Sequence, residues 1–507
     1  MLRVALVRLP SHSLVCRKCS SRIDLRSVRV DPRLTRQTWL RTTAIRVALV
    51  AAVAGCKTYE PKPLDATQAT TEWRSRSPNS ESVRAFAERL AKAEPDAPIA
   101  FDATDGLTLR EAEPVALVFN PDLRVARMEA HVARATAEFA GLWQDPVAGF
   151  ELAQILEGVS DPWFVAPAVD ITIPISGTPE AAKALADAAY VAELRRIAAQ
   201  EWEVRADLRE TWISWSAQIV RAELAEAVVV ELRAVADLAE RQHAAGVLSR
   251  LDARVFVVEC AGRAAEAIEA RARAQELELE LLDILGLAPG TPLKLVPTLA
   301  FAPRASEEGA LQDALLKGNA QLATLRESFE VADRSLKLEI RKQYPDLTIG
   351  PGYLYDTGTS GPFIGFSLPI PLWNRNQQGV AQAIAEREVA RARFESAYEH
   401  AASRLAVAWT RYSAGCDVRA ALESTVVPIA EEQDAAVRHV ATLGRVDPFL
   451  LLRAIDTSND AKVRLATAQA DESIGAVRID ELLGPPEPPP TETDASPLSP
   501  ETQDTLP

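Results

Sequence analysis

Methionine, histidine and cysteine are scarce in this chain of 507 residues, numbering two, five and five. Apart from Met1 the only methionine is Met128, so a soft-metal relay of thioethers is excluded. The histidines, His12, His131, His243, His400 and His439, are scattered, and none has a carboxylate or cysteine at a metal-site spacing. Cys260 and Cys416 fall in helical stretches and read as small packing residues, not a disulfide framework. Cys16 and Cys19 form a lone Cys-x-x-Cys without the second half of a zinc site. Gly-rich phosphate loops, nucleophile elbows and metalloprotease helix motifs are also missing. The reading is therefore of a protein that is not an enzyme and needs neither cofactor nor resident metal. No apolar run reaches eighteen residues, the longest being Val47 to Ala54, so any membrane crossing must use strands.

Charge is unevenly placed. Residues 1–55 carry 11 Lys/Arg against 2 Asp, leaving −24 on the rest of a chain whose formal charge is −15. An acidic body excludes nucleic acid as a partner. The basic start, with Arg41 and Arg46 before the short apolar run, reads as an export signal over 1–55 with an extended basic leader. It ends at Val53-Ala54-Gly55-Cys56, which resembles the lipobox of bacterial lipoproteins. That resemblance implies lipidation at Cys56, with Lys57 in place of the aspartate tied to inner-membrane retention. Residues 56–108 then read as a lipid-anchored tether, and 485–507, dense in Pro, Thr, Ser and acids, as a disordered tail.

Between these ends the sequence states one unit twice. Ala116-Leu-Val-Phe-Asn-Pro-Asp-Leu123 matches Leu315-Leu-Lys-Gly-Asn-Ala-Gln-Leu322, placing Asn120 on Asn319. Pro146 falls on Pro345, Pro174 on Pro369, Gly246 on Gly444, and Leu285-Gly286 on Leu483-Gly484, in order. The repeats are assigned to 109–298 and 309–484. Each reads helix, strand, strand, long helix, helix, with Asn120 and Asn319 as N-caps. Residues 180–243 contain no proline, and at 1.5 Å per residue they predict a helix about 95 Å long, returning at Gly246 as an antiparallel coiled-coil hairpin. The fold class is mainly α with a membrane β component.

The strands alternate cleanly. Trp163, Val165, Val169, Ile171, Ile173 and Ile175 oppose Asp170, Thr172 and Ser176. Leu347, Ile349, Tyr353 and Tyr355 oppose Asp346, Thr348, Gly350, Gly352 and Asp356, while Ile364, Phe366, Leu368, Ile370 and Leu372 oppose Gly365 and Ser367. A first strand near Val147 to Glu157 is weaker. Such segments suit a membrane barrel with Trp163, Tyr353, Tyr355 and Trp373 as its aromatic girdle. They equally suit a soluble sheet half-buried on helices, as in a periplasmic coiled-coil scaffold or adhesin. Four strands cannot close a barrel, so a membrane sheet requires several chains.

Tyr344-Pro-Asp-Leu-Thr-Ile-Gly-Pro-Gly-Tyr353, Gly365-Phe-Ser-Leu-Pro-Ile-Pro-Leu-Trp-Asn-Arg-Asn376, Gly379-Val-Ala-Gln-Ala383 and Val427-Pro428-Ile-Ala-Glu-Glu432 resemble the TolC-type outer-membrane efflux proteins, above all their heavy-metal (CzcC- and CusC-like) branch. The resemblance covers about 109–484. It implies a homotrimer in which four strands per chain form a twelve-stranded barrel and the long helices form a periplasmic tunnel. A periplasmic adaptor protein and an inner-membrane pump are the implied partners, and the channel itself is a passive gated duct for metal cations or drugs, or, in a related reading, for exported proteins. The implied gate lies at the hairpin tips, at Asp252 in the first repeat and at Arg445, Leu450 and Arg453 in the second. Leu450 and Arg453 stand where the archetype is acidic, and Asp252 is read equally well as a helix first-turn residue.

Overall fold

The computed structural model describes residues 59–93, 101–103, 105–154, 158, 161–302, 308–442 and 447–485. The export signal, Cys56, Gly444, Arg445 and the tail from 486 on lie outside the described residues. Two compact units divide the chain, Met1–Glu72 and Trp73–Pro507. Of the first, the described part is an irregular stretch entering helix α1 (Ala66–Arg74), which ends two residues into the second; Asp65 caps it, its carboxylate accepting the N–H groups of Thr67 and Gln68.

The second unit begins with α2 (Glu81–Ala93), then repeats itself. The first repeat runs α3 (Leu109–Phe119), α4 (Pro121–Phe139), β1 (Val147–Gln154), β2 (Trp163–Ile173), α5 (Thr178–Ala244) and α6 (Arg250–Ile284). The second runs α7 (Glu308–Gly318), α8 (Ala320–Arg341), β3 (Leu347–Asp356), β4 (Thr359–Ser367), α9 (Gln377–Ala421), α10 (Val427–Thr442) and α11 (Pro448–Leu483). The short helices α3 and α7 are additions to the expected unit.

The two cap asparagines explain why both repeats keep the same joint. Asn120 accepts the N–H groups of Asp122 and Leu123 and donates through Nδ2 to the Ile284 carbonyl at 3.0 Å. Asn319 accepts from Leu322 and donates to the Leu482 carbonyl at 2.7 Å. Each side chain thus starts one helix and ties down the end of the repeat's last helix. The Leu-Gly pairs close the same joint: Gly286 (φ +66°) and Gly484 (φ +78°) lie so near the carbonyls of Phe119 and Gly318 that a Cβ would sit 2.0 and 1.8 Å from them. Only glycine fits.

Helix α5 has 67 residues, about 100 Å by its rise, and is the spine of the molecule. Around its middle it is buried on several sides. Leu208, Trp212 and Trp215 pack with α3 and α6, whereas Ala206, Ile213 and Ala217 pack with α11. Its counterpart bears Pro428, which lacks an N–H and whose ring crowds the carbonyl four residues back. There the helix widens into a π turn, Leu422–Val426, between α9 and α10, and the Val427 N–H reaches back to the Leu422 carbonyl.

The four strands form one antiparallel sheet in the order β1-β2-β3-β4. Two strands end earlier than their alternation predicts. Strand β2 stops at Ile173 because Pro174 follows, leaving Ile175 and Ser176 outside it. Strand β4 stops at Ser367 rather than running to Leu372, since Pro369 and Pro371 cannot donate to a ladder.

Candidate channel wall and hairpin tips

The register assigns each strand residue to a face. Val165 faces Tyr355, Ile171 faces Ile349, and Ile349 faces Phe366, while Leu152 pairs with Val165 and Phe150 with Pro167. One face is therefore continuously apolar across all four strands. It is bare: Phe150, Leu152, Ile364 and Phe366 are 59 to 71% exposed, and among the described residues no helix packs extensively on the sheet. The other face is mostly polar and small, with Phe164, Leu354 and Phe363 as bulky apolar members. On it Thr172 and Thr348 share a hydrogen bond at 3.1 Å, Asp170 lies against Gly350, and Phe363 fills the space over Gly352. The expected weak first strand is a full member, its Phe150 and Leu152 overlooked because Glu151 and Gln154 dilute the pattern.

The aromatic residues divide between the sheet's two ends. Trp163, Tyr353 and Tyr355 lie toward the hairpin end, where the Tyr353 hydroxyl donates to Ser360 and that of Tyr355 to Asp161. Trp373 lies past the opposite end, in the segment between β4 and α9, and is 88% exposed. Sequence reasoning missed Trp143 and Tyr344, both exposed and each a few residues before a strand at that same end. Their signal was the repeat: an aromatic residue stands shortly before both β1 and β3.

At the hairpin turn Gly246 takes φ +75°, and Ser249 caps α6 by accepting the Asp252 N–H while donating to the Asp252 carboxylate at 2.7 Å. Asp252 is thus engaged as a first-turn capping partner. Asp447 caps α11, with Leu450 in its exposed first turn and Arg453 one turn on, also exposed. The structure brings the two tips together. Phe256 and Phe449 meet at 4.8 Å between ring centroids, and Ala253, Leu451, Leu452 and Ile455 join them in one apolar cluster.

The helices form a layer with two unlike faces. One face is covered by α3, α7 and the linker 287–302. Trp212 donates to the Val296 carbonyl, Ser216 accepts the Thr298 N–H, and Ser473 accepts that of Phe301. Beneath this cover Arg209 pairs with Glu113 at 2.6 Å and with Asp480 at 3.7 Å, all three largely buried. The other face is bare and carries Glu203, Asp207 and Glu210 along α5. Burial, reinforced by neighbouring carboxylates, raises all three carboxyls above their ordinary range, although Arg478 pulls Asp207 and Glu210 the other way.

No family model matches the chain. In sequence it is 26% identical over 284 residues, 56% of this chain and 68% of the other, to the cobalt-zinc-cadmium resistance protein CzcC of Cupriavidus metallidurans. Among solved structures it is similar to CusC (TM-score 0.62, 13% identity, 85% of this chain and 100% of that one). It is similar also to the outer-membrane channel OprN (0.64, 17%, 85% and 98%) and to the outer-membrane protein VceC of Vibrio cholerae (0.61, 18%, 74% and 96%). The duplicated helix-strand-strand-helix unit and the bare apolar sheet face are thus those of the fold these outer-membrane channels share, and in sequence the chain is similar to CzcC.

Proposed function

We propose that three copies of this chain close into the outer-membrane exit duct of a tripartite efflux system, passive and gated, with a periplasmic adaptor and an inner-membrane pump supplying substrate and energy. The observation that carries this reading is the sheet. Its strands have 8, 11, 10 and 9 residues, near the lengths that cross a bilayer when tilted, and its apolar face is uncovered. A soluble half-buried sheet would have helices on that face.

The free edges support closure by copies. Strands β1 and β4 each have one unpaired edge. The helical layer repeats this, running α4-α5-α8-α9 in one half and α6-α5-α11-α10 in the other, so that a first-repeat helix and a second-repeat helix form its two borders. The border helix α4 exposes Val125, Met128, Val132 and Phe139 at helical spacing. A strand edge in lipid must be paired, and pairing β4 of one copy with β1 of the next satisfies every edge in a ring of three.

The bulky cover of α3, α7 and linker belongs outside such a tube, which makes the bare helix face its wall and the paired tips its narrow end. Asp252, Leu450, Arg453 and Arg445 are the proposed gate region, and Trp163, Tyr353 and Tyr355 at one end and Trp373 at the other the proposed girdle. Cys56 is the proposed lipid anchor, in an outer-membrane protein whose helices stand in the periplasm. Metal cations are the first substrate class, on the likeness to CzcC, and drugs the second. The test is direct. Purified protein is sized and placed in planar bilayers, where conducting trimers are expected, and soluble non-conducting monomers would refute the duct in favour of a coiled-coil scaffold. Fatty-acid labelling of wild type against Cys56→Ala tests the anchor.

A further inference from the structure

The bare helix face holds a groove between α9 and α11 of about 1170 Å³, on the scale of sites for drug-sized molecules. Small residues make it deep. Gly415 and Gly475 bring the two helices so close that a Cβ on either would lie 3.2 to 3.3 Å from the facing backbone, and Ala414 and Ala468 leave the space beside them open. Helix α9 turns Leu405 and Trp409 toward α7 on the covered side, and Val407 and Val418 into the groove. The lining is mostly apolar.

Its charges run against the rest of the molecule. In a chain of formal charge −15, the groove is lined by Arg404, Arg411, Arg464 and Arg478 against Glu210 and Asp471. Arg478 is engaged by Glu210 and Glu481, and Arg404 lies 3.5 Å from Glu481. Among the described residues Arg411 and Arg464 have no carboxylate within ion-pair distance, and both are exposed to the groove. Gly415 facing Glu472 fixes the antiparallel register, which sets Arg464 at one end of a channel roughly 30 Å long and Arg411 near its middle, about 18 Å away.

We infer that this groove is a transit site for amphipathic organic anions, molecules with an apolar body and a carboxylate, sulfonate or phosphate. The apolar floor takes the body, and Arg411 or Arg464 takes the anionic group, since guanidinium matches such groups with two parallel hydrogen bonds. A bare cation gains nothing from the apolar floor and meets the guanidinium groups of Arg411 and Arg464 against the carboxylate of Asp471. The inference rests on the bare face being the duct wall, and within the second, organic substrate class it singles out anions.

The probe is 1-pyrenesulfonate, with 1-pyrenemethylammonium as its cationic counterpart, followed by fluorescence anisotropy on the full-length protein in neutral detergent against a protein-free blank. Saturable binding of the sulfonate is expected, weakened modestly in Arg411→Gln or Arg464→Gln and about tenfold when the two are combined, only partly kept when both are changed to lysine, and lost in Ala414→Trp, which fills the groove. Equal binding of the cation, unchanged binding in the combined glutamine variant, or no saturable binding would overturn the site. The same protein in planar bilayers separates the two claims. Conductance without sulfonate binding overturns the anion site alone. Binding without conductance overturns the duct, and with it the assignment of the groove to transit.

Discussion

Placing lysine at Ile364 tests the lipid-facing assignment at its centre. Ile364 lies midway along β4, opposite Pro351 on β3, and its side chain is 62% exposed on the apolar face. If that face meets hydrocarbon, a lysine near the midplane costs about 2–4 kcal/mol per chain, a factor of roughly 30 to 900 in the folding equilibrium. The same residue at Ala168 is the matched control. Ala168 sits at a similar level of β2 but on the other face, flanked in register by Gly149 and Gly352, so a long side chain there points into the water-filled interior. Refolding from urea into lipid vesicles, followed by heat-modifiable gel mobility, should show Ile364→Lys shifted far toward the unfolded form and Ala168→Lys within about 1 kcal/mol of wild type. Equal costs at the two sites would mean that lipid does not single out the apolar face, and a larger one at Ala168 would put the opposite face in lipid; either result would refute the lipid-facing assignment.

Asn319→Ala removes a helix cap and leaves the buried Leu482 carbonyl without its donor, which together cost about 2–4 kcal/mol. Asn120→Ala should match it in thermal melts monitored by circular dichroism, and a cost under about 0.5 kcal/mol in both would mean the joints are held otherwise. Phe256→Ala empties the pocket against Phe449 at the paired tips, with an expected loss of about 3–5 kcal/mol locally, read as faster proteolysis near Gly246 and a higher resting conductance; an unchanged resting current would separate the tips from the gate. Acidification should act in opposite directions at two places. The carboxyls of Glu203, Asp207 and Glu210 are raised above their unfolded values of 4.5, 3.8 and 4.5, so they favour the fold as pH falls through their folded pKa values and lose that contribution as pH rises. Asp333 is lowered from 3.8, first by its hydrogen bond from Lys337, and Glu339 from 4.5, first by that from Asn376, so their contribution is present above those values and lost below. Hydrogen-exchange protection factors, which remove the intrinsic pH dependence of exchange, should therefore rise around 203–210 as pH falls from 7 to 4 and fall around 333–341 below pH 4.

Much of this architecture was legible because the repeat is written in residues with few substitutes. Asn120, Asn319, Gly286 and Gly484 are visible as matched letters, and the structure gives the reason: each occupies a joint where a cap amide must reach a carbonyl or where a Cβ cannot fit. The long rods followed from the lack of proline and the wealth of alanine and leucine. Strand ends were less legible, since apolar alternation continues through Leu368, Ile370 and Leu372 although the intervening prolines forbid a ladder. Helices α3 and α7 were missed because they are short, and each ends directly at the asparagine that caps the next helix. The pairing of the tips through Phe256 and Phe449 could not be read at all. Those residues lie 193 positions apart in sequence, and only the return of both hairpins to the same end of the layer brings them together.

The two repeats match in plan but not in their long helices, and the difference has a direction. Helix α5 runs through 67 residues without a break and is packed on several sides, by α4, α6, α8 and α11 along its length. Its counterpart stands at the border of the layer and is interrupted at the π turn before Pro428, where the side chains from Leu422 to Val426 are not buried. A π turn removes one hydrogen-bonded step and widens the helix, so bending is easiest where it occurs and where packing resists least. Rigidity is therefore placed in the first repeat's spine, and compliance in the second repeat's border helix, just above its tip. In a ring of copies each compliant border meets a neighbour's α6, so movement at the tips would be shared between chains instead of bending any chain's core.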